Sequence, residues 1–309
     1  MPPTVLVTGA AGFAGGHLLD LLTADGFPVV AWHRAGGTAP EAVPGATWRA
    51  VDLLDRGGVR DALARNPPAF VYHCAGAAHV GRSWEHVEST FATNVRGTHH
   101  VVEGLRDLGI DARVLIPSSA MVYGGSDDPL NEDHRLAPGS PYALSKLAQE
   151  MVGAGNAGGP AVMIARAFNH FGPRQGPWFV ASGFARRIAD IEAGRWAPEI
   201  SVGNLEARRD LTDVRDTVRA YRVILEQGTA GRAYNVCSGH AVAIRDLLEM
   251  MLARARVPIS VKADPARYRP NDLPLVVGDP GRIQRELGWK AEIPLERTVD
   301  DLLEYWRRL

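Results

Sequence analysis

Tyr142 and Lys146 stand four residues apart in Tyr142-Ala-Leu-Ser-Lys146. Ser140 is placed to cap a helix and Pro141 to take its first position. The phenol then falls in the first turn and the amine one turn later on the same face. A free tyrosine has a pKa of about 10. A neighbouring ammonium lowers it by stabilising phenolate, which makes the phenol a better proton donor near neutral pH. The spacing alone is weak, because an exposed helix start carries such a pair by chance. Ser119 adds to it. The run Ile116-Pro-Ser-Ser119-Ala-Met-Val-Tyr-Gly124 closes a strand, and the loop at the carboxyl end of a parallel strand is where an open α/β sheet takes its ligand.

A second constellation is suited to phosphate. Val5-Leu-Val-Thr-Gly9-Ala-Ala-Gly12-Phe13-Ala14-Gly15 reads as a strand, a glycine turn and an apolar helix. Glycines let a backbone approach a pyrophosphate, and the helix start offers free N–H groups and a positive dipole end. A plain tight turn is the alternative. The second strand ends Val30-Ala-Trp-His33-Arg34, with no carboxylate for an adenosine 2′-hydroxyl. Arg34 there favours a 2′-phosphate, hence NADP (NADPH) over NAD, which stays possible; a solvated surface arginine is the other reading. Asp52 is a candidate for the adenine edge or a loop cap. Leu53, Ala75 and Ala167, beside the ends of later strands, complete the expected cofactor contacts with His33.

These residues need a frame that collects strand ends. Thr4–Thr8, Pro28–Trp32, Thr47–Leu53, Phe70–Cys74, Arg113–Pro117 and Ala161–Arg166 read as strands. Gly16–Ala24, Asp55–Arg65, Trp84–Leu108 and Pro141–Val152 read as helices. Such alternation predicts an α/β fold with a Rossmann-type, doubly wound parallel sheet. Beyond Arg166 the pattern loosens. A helix is expected over Phe179–Ala193 and a short run around Ile200–Val202. A helix capped by Thr212 then leads into a strand over Arg232–Val236. Ile244–Ala255, Pro280–Leu287 and Leu295–Arg307 are expected to pack with Phe179–Ala193 as a smaller, interleaved helix-rich lobe. The division is 1–168 and about 207–238 for the cofactor domain, and about 169–206 and 239–309 for the substrate lobe.

Composition removes other classes. At 309 residues the chain suits one such unit with a small attached lobe. A net charge of −1 gives no footprint for nucleic acid or an anionic membrane. No stretch is long enough to cross a bilayer, and the N-terminus enters an apolar run with no basic leader, so a cytoplasmic location is expected. Cys74 and Cys237 end apolar runs and read as reduced thiols, with neither a disulfide nor a metal site expected.

Taken together, the glycine turn, Ser-Ser-x-x-Val-Tyr-Gly, Tyr-x-x-x-Lys, Arg166-Ala-Phe-Asn169 and Arg209-Asp210 resemble the extended short-chain dehydrogenase/reductase family in order and over essentially the whole chain. The resemblance implies that Ser119 hydrogen-bonds the reacting oxygen, Tyr142 transfers the proton, and Lys146 holds the cofactor ribose while tuning Tyr142. Asn94 matches the family's helix asparagine, though a helix-interior hydrogen bond explains it as well. Dehydratases of the family carry an acid in the two positions after the serine or threonine; Ala120 and Met121 stand there and transfer no proton.

Gly203–Asp210 is similar to the segment found in enzymes acting on GDP-hexoses, which implies a GDP-sugar substrate. Arg209 and Arg269 are suited to clamp a diphosphate, and Asp272 by resemblance meets a ribose hydroxyl. Asn169 would contact the sugar or diphosphate, or order its own turn, and His79 and Ser83 would line the sugar pocket. Reduction of a C4 keto group is expected, with 4-epimerisation as the alternative and a non-catalytic NADP-sensing protein as a remote one. Family members commonly dimerise through a four-helix bundle, here from Trp84–Leu108 and Pro141–Val152.

Overall fold

A computed structural model describes residues 3–37, 42–155, 158–268 and 273–309. Short apolar strands alternate with helices through the first half: β1 (Val5–Thr8), α1 (Phe13–Ala24), β2 (Val29–His33), β3 (Ala46–Ala50), α2 (Arg56–Arg65), β4 (Phe70–His73), α3 (Val87–Phe91), α4 (Gly97–Asp107), β5 (Arg113–Ser119), α5 (Pro141–Ala154) and β6 (Ala161–Ala167). Helices return the chain between β1 and β2, β3 and β4, β4 and β5, and β5 and β6, which lets these strands run parallel, whereas β2 passes to its parallel neighbour β3 with no helix among the described residues. The second half adds β7 (Asn169–Phe171), α6 (Val180–Glu192), β8 (Glu199–Val202), β9 (Arg208–Asp213), α7 (Val214–Gln227), β10 (Ala233–Val236), β11 (Ala241–Ala243), α8 (Ile244–Leu252), β12 (Ser260–Ala263), β13 (Leu275–Val276), α9 (Gly281–Leu287) and α10 (Leu295–Arg307).

Seven strands form one parallel sheet in the order β10-β6-β5-β4-β1-β2-β3. This is the expected Rossmann-type, doubly wound fold. Both faces are buried, which is why strands such as Val5-Leu-Val-Thr8 are apolar throughout. On one face Val5, Val7 and Ala31 meet Leu18, Leu22, Val218 and Tyr221 of α1 and α7. On the other, Leu6, Val30 and Ile116 meet Leu63, Val101 and Leu105 of α2 and α4. A separate core joins α6, α8 and α10 through Phe184, Ile188, Leu247, Met251, Leu302 and Leu303. Two small sheets edge it: β9 bonds β11, β13 and β7, and β12 pairs β8.

Three local features differ from the sequence expectation. The segment Trp84–Leu108 is not one helix: a tight turn at Gly81–Trp84, α3 and a π turn at Ala92–Arg96 precede α4. The wide turn carries Asn94 inward, where its side chain bonds Ala77 and Ser145. The cap of α7 is Asp213 and not Thr212, since the Asp213 carboxylate accepts from Arg215 N at 2.7 Å. Finally, α9 joins the large sheet and not the small lobe, because Ile283 and Trp289 pack into the core under α7.

Candidate active site

The parallel arrangement brings the carboxyl ends of β1, β4, β5 and β6 to one edge, with the reversal of strand order between β1 and β4. Gly9 leaves β1 with φ +64, and a Cβ there would sit 2.7 Å from Ala75 N. A Cβ at Gly15 would stand 2.2 Å from Gly9 O. Only glycine allows the turn to close against both β4 and its own helix. Gly12 is the N-cap of α1 and brings no side chain to the first turn. The first turn of α1 carries no side-chain cap, and a helix start of this kind fits a pyrophosphate. Phe13 stacks on His170, with ring centroids 5.9 Å apart.

Helix α5 is held at its start by two hydroxyls. Ser140 accepts from Ala143 N at 3.1 Å, and Ser83 accepts from Tyr142 N at 3.1 Å. Pro141 fills the first position, where no amide proton is missed. The backbone of Tyr142 is therefore set by a loop after β4 as well as by its own helix. This is where the Ser83 hydroxyl is spent: it also donates to Val80 O at 2.6 Å. Ser119 ends β5 in register with Ala167, and its hydroxyl accepts from Met121 N at 3.2 Å.

Ser119, Tyr142 and Lys146 are all nearly buried at this edge. Burial pushes the Tyr142 phenol up from its ordinary value, and the Ser119 hydroxyl opposes that by favouring phenolate. The expected lowering by Lys146 is not what the geometry gives, because the amine is turned to Gln149, donating to its Oε1 at 2.5 Å. Burial pulls Lys146 down to about 8, against the attraction of Glu150 and Cys74. Burial likewise raises the Cys74 thiol to about 12, so it is no nucleophile near neutral pH. Neither Cys74 nor Cys237 is in a disulfide.

Most of the side chains that support these three groups are not legible in the sequence. Glu150, one turn beyond Lys146, bonds Arg166 at 2.8 Å and accepts from Ser118. Arg166 also donates to Tyr123 Oη at 3.0 Å, and Tyr123 donates to Asn235 at 2.7 Å. In the turn after β4, the His79 ring lies 5.7 Å from that of Phe179, and Arg82 stacks 5.4 Å over Trp178. The sequence held one usable signal here, the i, i+3 and i, i+4 spacing of Gln149 and Glu150 from Lys146.

The other expected contacts are spread around this centre. Arg34 and Asp52 are exposed at the ends of β2 and β3, where Asp52 accepts from Leu54 N at 2.9 Å as a loop cap. His33 lies against Trp48, and Leu53 O accepts from His100. Ala75 N donates to Thr8 Oγ1. Ala167 is buried at the end of β6, and Asn169 stands exposed at the start of β7. Arg209 lies on β9, two residues before the partner of Asn169, and donates to Arg208 O at 2.8 Å. Its neighbour Asp210 is buried and works in the architecture, accepting from Ser238 N, Gly239 N and Gly278 N. Arg269 and Asp272 lie outside the described residues.

Comparison with known proteins agrees with this architecture. The family described as GDP-mannose 4,6 dehydratase matches residues 6–302. A GDP-6-deoxy-D-mannose reductase of Pseudomonas aeruginosa is 35% identical, with 99% of this chain and 98% of that protein covered. A UDP-glucose 4-epimerase of Bacillus subtilis is 30% identical over 96% and 95% of the two chains. Among solved structures, RMD from Pseudomonas aeruginosa complexed with NADPH superposes with a TM-score of 0.88 at 33% identity, covering 99% of each chain. The family model spans nearly the whole chain and the reductase is matched from end to end, so the chain belongs to the GDP-mannose 4,6-dehydratase family of extended short-chain dehydrogenases/reductases.

Proposed function

We propose that the chain reduces the C4 keto group of a GDP-4-keto-6-deoxy-hexose with NADPH, giving a GDP-D-rhamnose-type product. The observation that carries this is Ser119 facing the Tyr142 phenol at the sheet edge, followed by Ala120 and Met121 where an eliminating enzyme needs an acid. NADPH, when bound, supplies the hydride to C4. Tyr142 gives its phenolic proton to the oxygen of the same carbon, and Ser119 donates a hydrogen bond to that oxygen as charge develops. Lys146 holds the nicotinamide ribose. The pyrophosphate is met by the turn Gly9–Gly15 and the 2′-phosphate by Arg34, with His33, Asp52, Leu53, Ala75 and Ala167 lining the rest. Asn169 and Arg209 meet the GDP-sugar, joined by Arg269 and Asp272. The His79–Phe179 pair bounds the sugar end.

A second reading, a 4-epimerase that recycles its nucleotide, draws support from the Bacillus subtilis relative. The two part on one assay. A reductase consumes NADPH in step with product from a GDP-4-keto-6-deoxy-hexose. An epimerase equilibrates UDP-glucose with its 4-epimer at constant nucleotide, and that result would reject the reductase.

The chain is also proposed to be a cytoplasmic homodimer. Trp84 just before α3, Val87 at its start, and Leu144 and Met151 on α5 are exposed apolar side chains on packed neighbouring elements, suited to a four-helix bundle. Sedimentation of Met151→Glu as a monomer, beside a dimeric parent, is the expected result.

A further inference from the structure

Between β1 and the catalytic helix runs a buried chain of hydrogen bonds that no step above uses. Thr8, His73, Thr98 and Gln149 are all almost fully buried. Thr98 Oγ1 lies 2.6 Å from Asn94 O, 2.9 Å from His73 Nε2 and 2.8 Å from Gln149 Nε2. Its single proton must go to the Asn94 carbonyl, which accepts only. Thr98 therefore accepts from both nitrogens, and His73 carries its proton on Nε2. His73 Nδ1 is then an acceptor, taking the Thr8 hydroxyl proton at 2.9 Å. Thr8 in turn accepts from Ala75 N at 3.2 Å. Each donor has one acceptor, and no bond in the chain can be reversed without orphaning another.

The consequence falls on Gln149. Its amide nitrogen is committed to Thr98, so its carbonyl oxygen is the end turned to the Lys146 amine, 2.5 Å away. A flipped amide would set two N–H groups against an ammonium. Glu150, the nearer charge on the same helix, is occupied by Arg166 and Ser118. The titratable or charged groups facing Lys146 are Glu150 on α5, and Cys74 and His73 at the end of β4, with Tyr142 one turn before it. His73 is held neutral, pushed down to about 3 by burial and by the Lys146 charge.

We infer that Gln149 is a positioning residue: its carbonyl, keyed in one orientation by Thr98 and His73, aims the Lys146 ammonium and favours its charged form without neutralising it. This rests on the reading that Lys146 holds the cofactor ribose. The carbonyl acts through Lys146 and touches no reacting atom, so its signature is the pH at which nucleotide affinity is lost.

The test is NADPH binding to the full-length protein, followed by nucleotide fluorescence from pH 6 to 10. Affinity of the parent falls as Lys146 loses its proton. Gln149→Met keeps the volume and removes the acceptor. It is expected to weaken binding about tenfold at neutral pH and to move the midpoint down by about 1. Gln149→Glu supplies an anionic acceptor and is expected to move the midpoint up. Opposite displacements from one position are not produced by a packing role. Midpoints that stay put, or move together, in variants with parental circular dichroism overturn the inference. If Gln149→Glu does not fold, Gln149→Met and Gln149→Leu carry the test, and both must move the midpoint down. Lys146→Met separates the two levels. Binding unchanged in Lys146→Met sinks the reading of Lys146 itself; binding weakened there with inert Gln149 variants sinks the inference alone.

Discussion

Beneath α5, a run of buried polar side chains ends on an amine: Thr8, His73, Thr98 and Gln149 lead to Lys146. Along β9 and α7, three buried carboxylates spaced three residues apart end on backbone amides and neighbouring side chains. Asp210 accepts from the amides of Ser238, Gly239 and Gly278. Asp213 caps α7 and accepts from Thr298 Oγ1 at 2.7 Å. Asp216 accepts from Glu292 N and Ile293 N. Both regions obey the rule that a buried polar group must be paired. They differ in what remains once pairing is complete. The aspartates have their lone pairs taken by backbone amides, by the hydroxyls of Ser238 and Thr298 and by the guanidinium groups of Arg215 and Arg219, and so act as staples between segments distant in sequence. The amine keeps protons to give, at a pKa drawn towards neutrality by burial, and so stays available for chemistry. Burial of polar groups marks the site only where a titratable proton is left over.

The sharpest way to break this comparison is to ask for activity without stability, and the reverse. Tyr142→Phe is expected to lower kcat by about 10²–10⁴-fold, the usual scale of general acid catalysis, with NADPH affinity and thermal midpoint near the parent. Near-normal turnover would remove the assignment of Tyr142 as proton donor. Asp210→Ala should do the opposite. It leaves several buried donors unpaired and is expected to cost about 3–5 kcal/mol in urea unfolding, while protein that remains folded binds NADPH normally. A large loss of nucleotide affinity would instead place Asp210 in the site.

Lys146 belongs to both columns, and pH separates them. Its pKa in the folded chain is about 8, below the unfolded value, so between those two values the unfolded chain binds more protons. Stability therefore rises with pH through that window. The burial cost, on the order of 3 kcal/mol, is present below pH 8 and fades above it. Lys146→Met is expected to be more stable than the parent at pH 7 and to lose that advantage by pH 10, as read from melting curves. The smallest effect concerns the exposed rim. Arg34→Ala should reduce the preference for NADPH over NADH about tenfold by removing a charge-assisted bond to the 2′-phosphate, with kcat unchanged at saturation. An unaltered ratio would return Arg34 to the solvated surface.

What the sequence alone determined is whatever local spacing or period controls. Alternating apolar strands and helices required the parallel sheet. The glycines before α1 specified its turn, and Ser140-Pro141 placed Tyr142 and Lys146 on one face of a capped helix. Each follows from interactions within a few residues of the chain, which a linear pattern can display. The break in Trp84–Leu108, the cap at Asp213 and the return of α9 to the large core were decided by partners far away in sequence: Ala77 and Ser145 for Asn94, Thr298 for Asp213, and the α7 core for Ile283. The direction of the Lys146 amine was decided in the same way. A lysine and a tyrosine one turn apart imply an electrostatic pair, but Gln149, held by Thr98 and His73 from α4 and β4, turns the amine elsewhere. Hydrogen-bond direction depends on which donors and acceptors meet in a buried space, and only the packing of strands and helices brings those groups together.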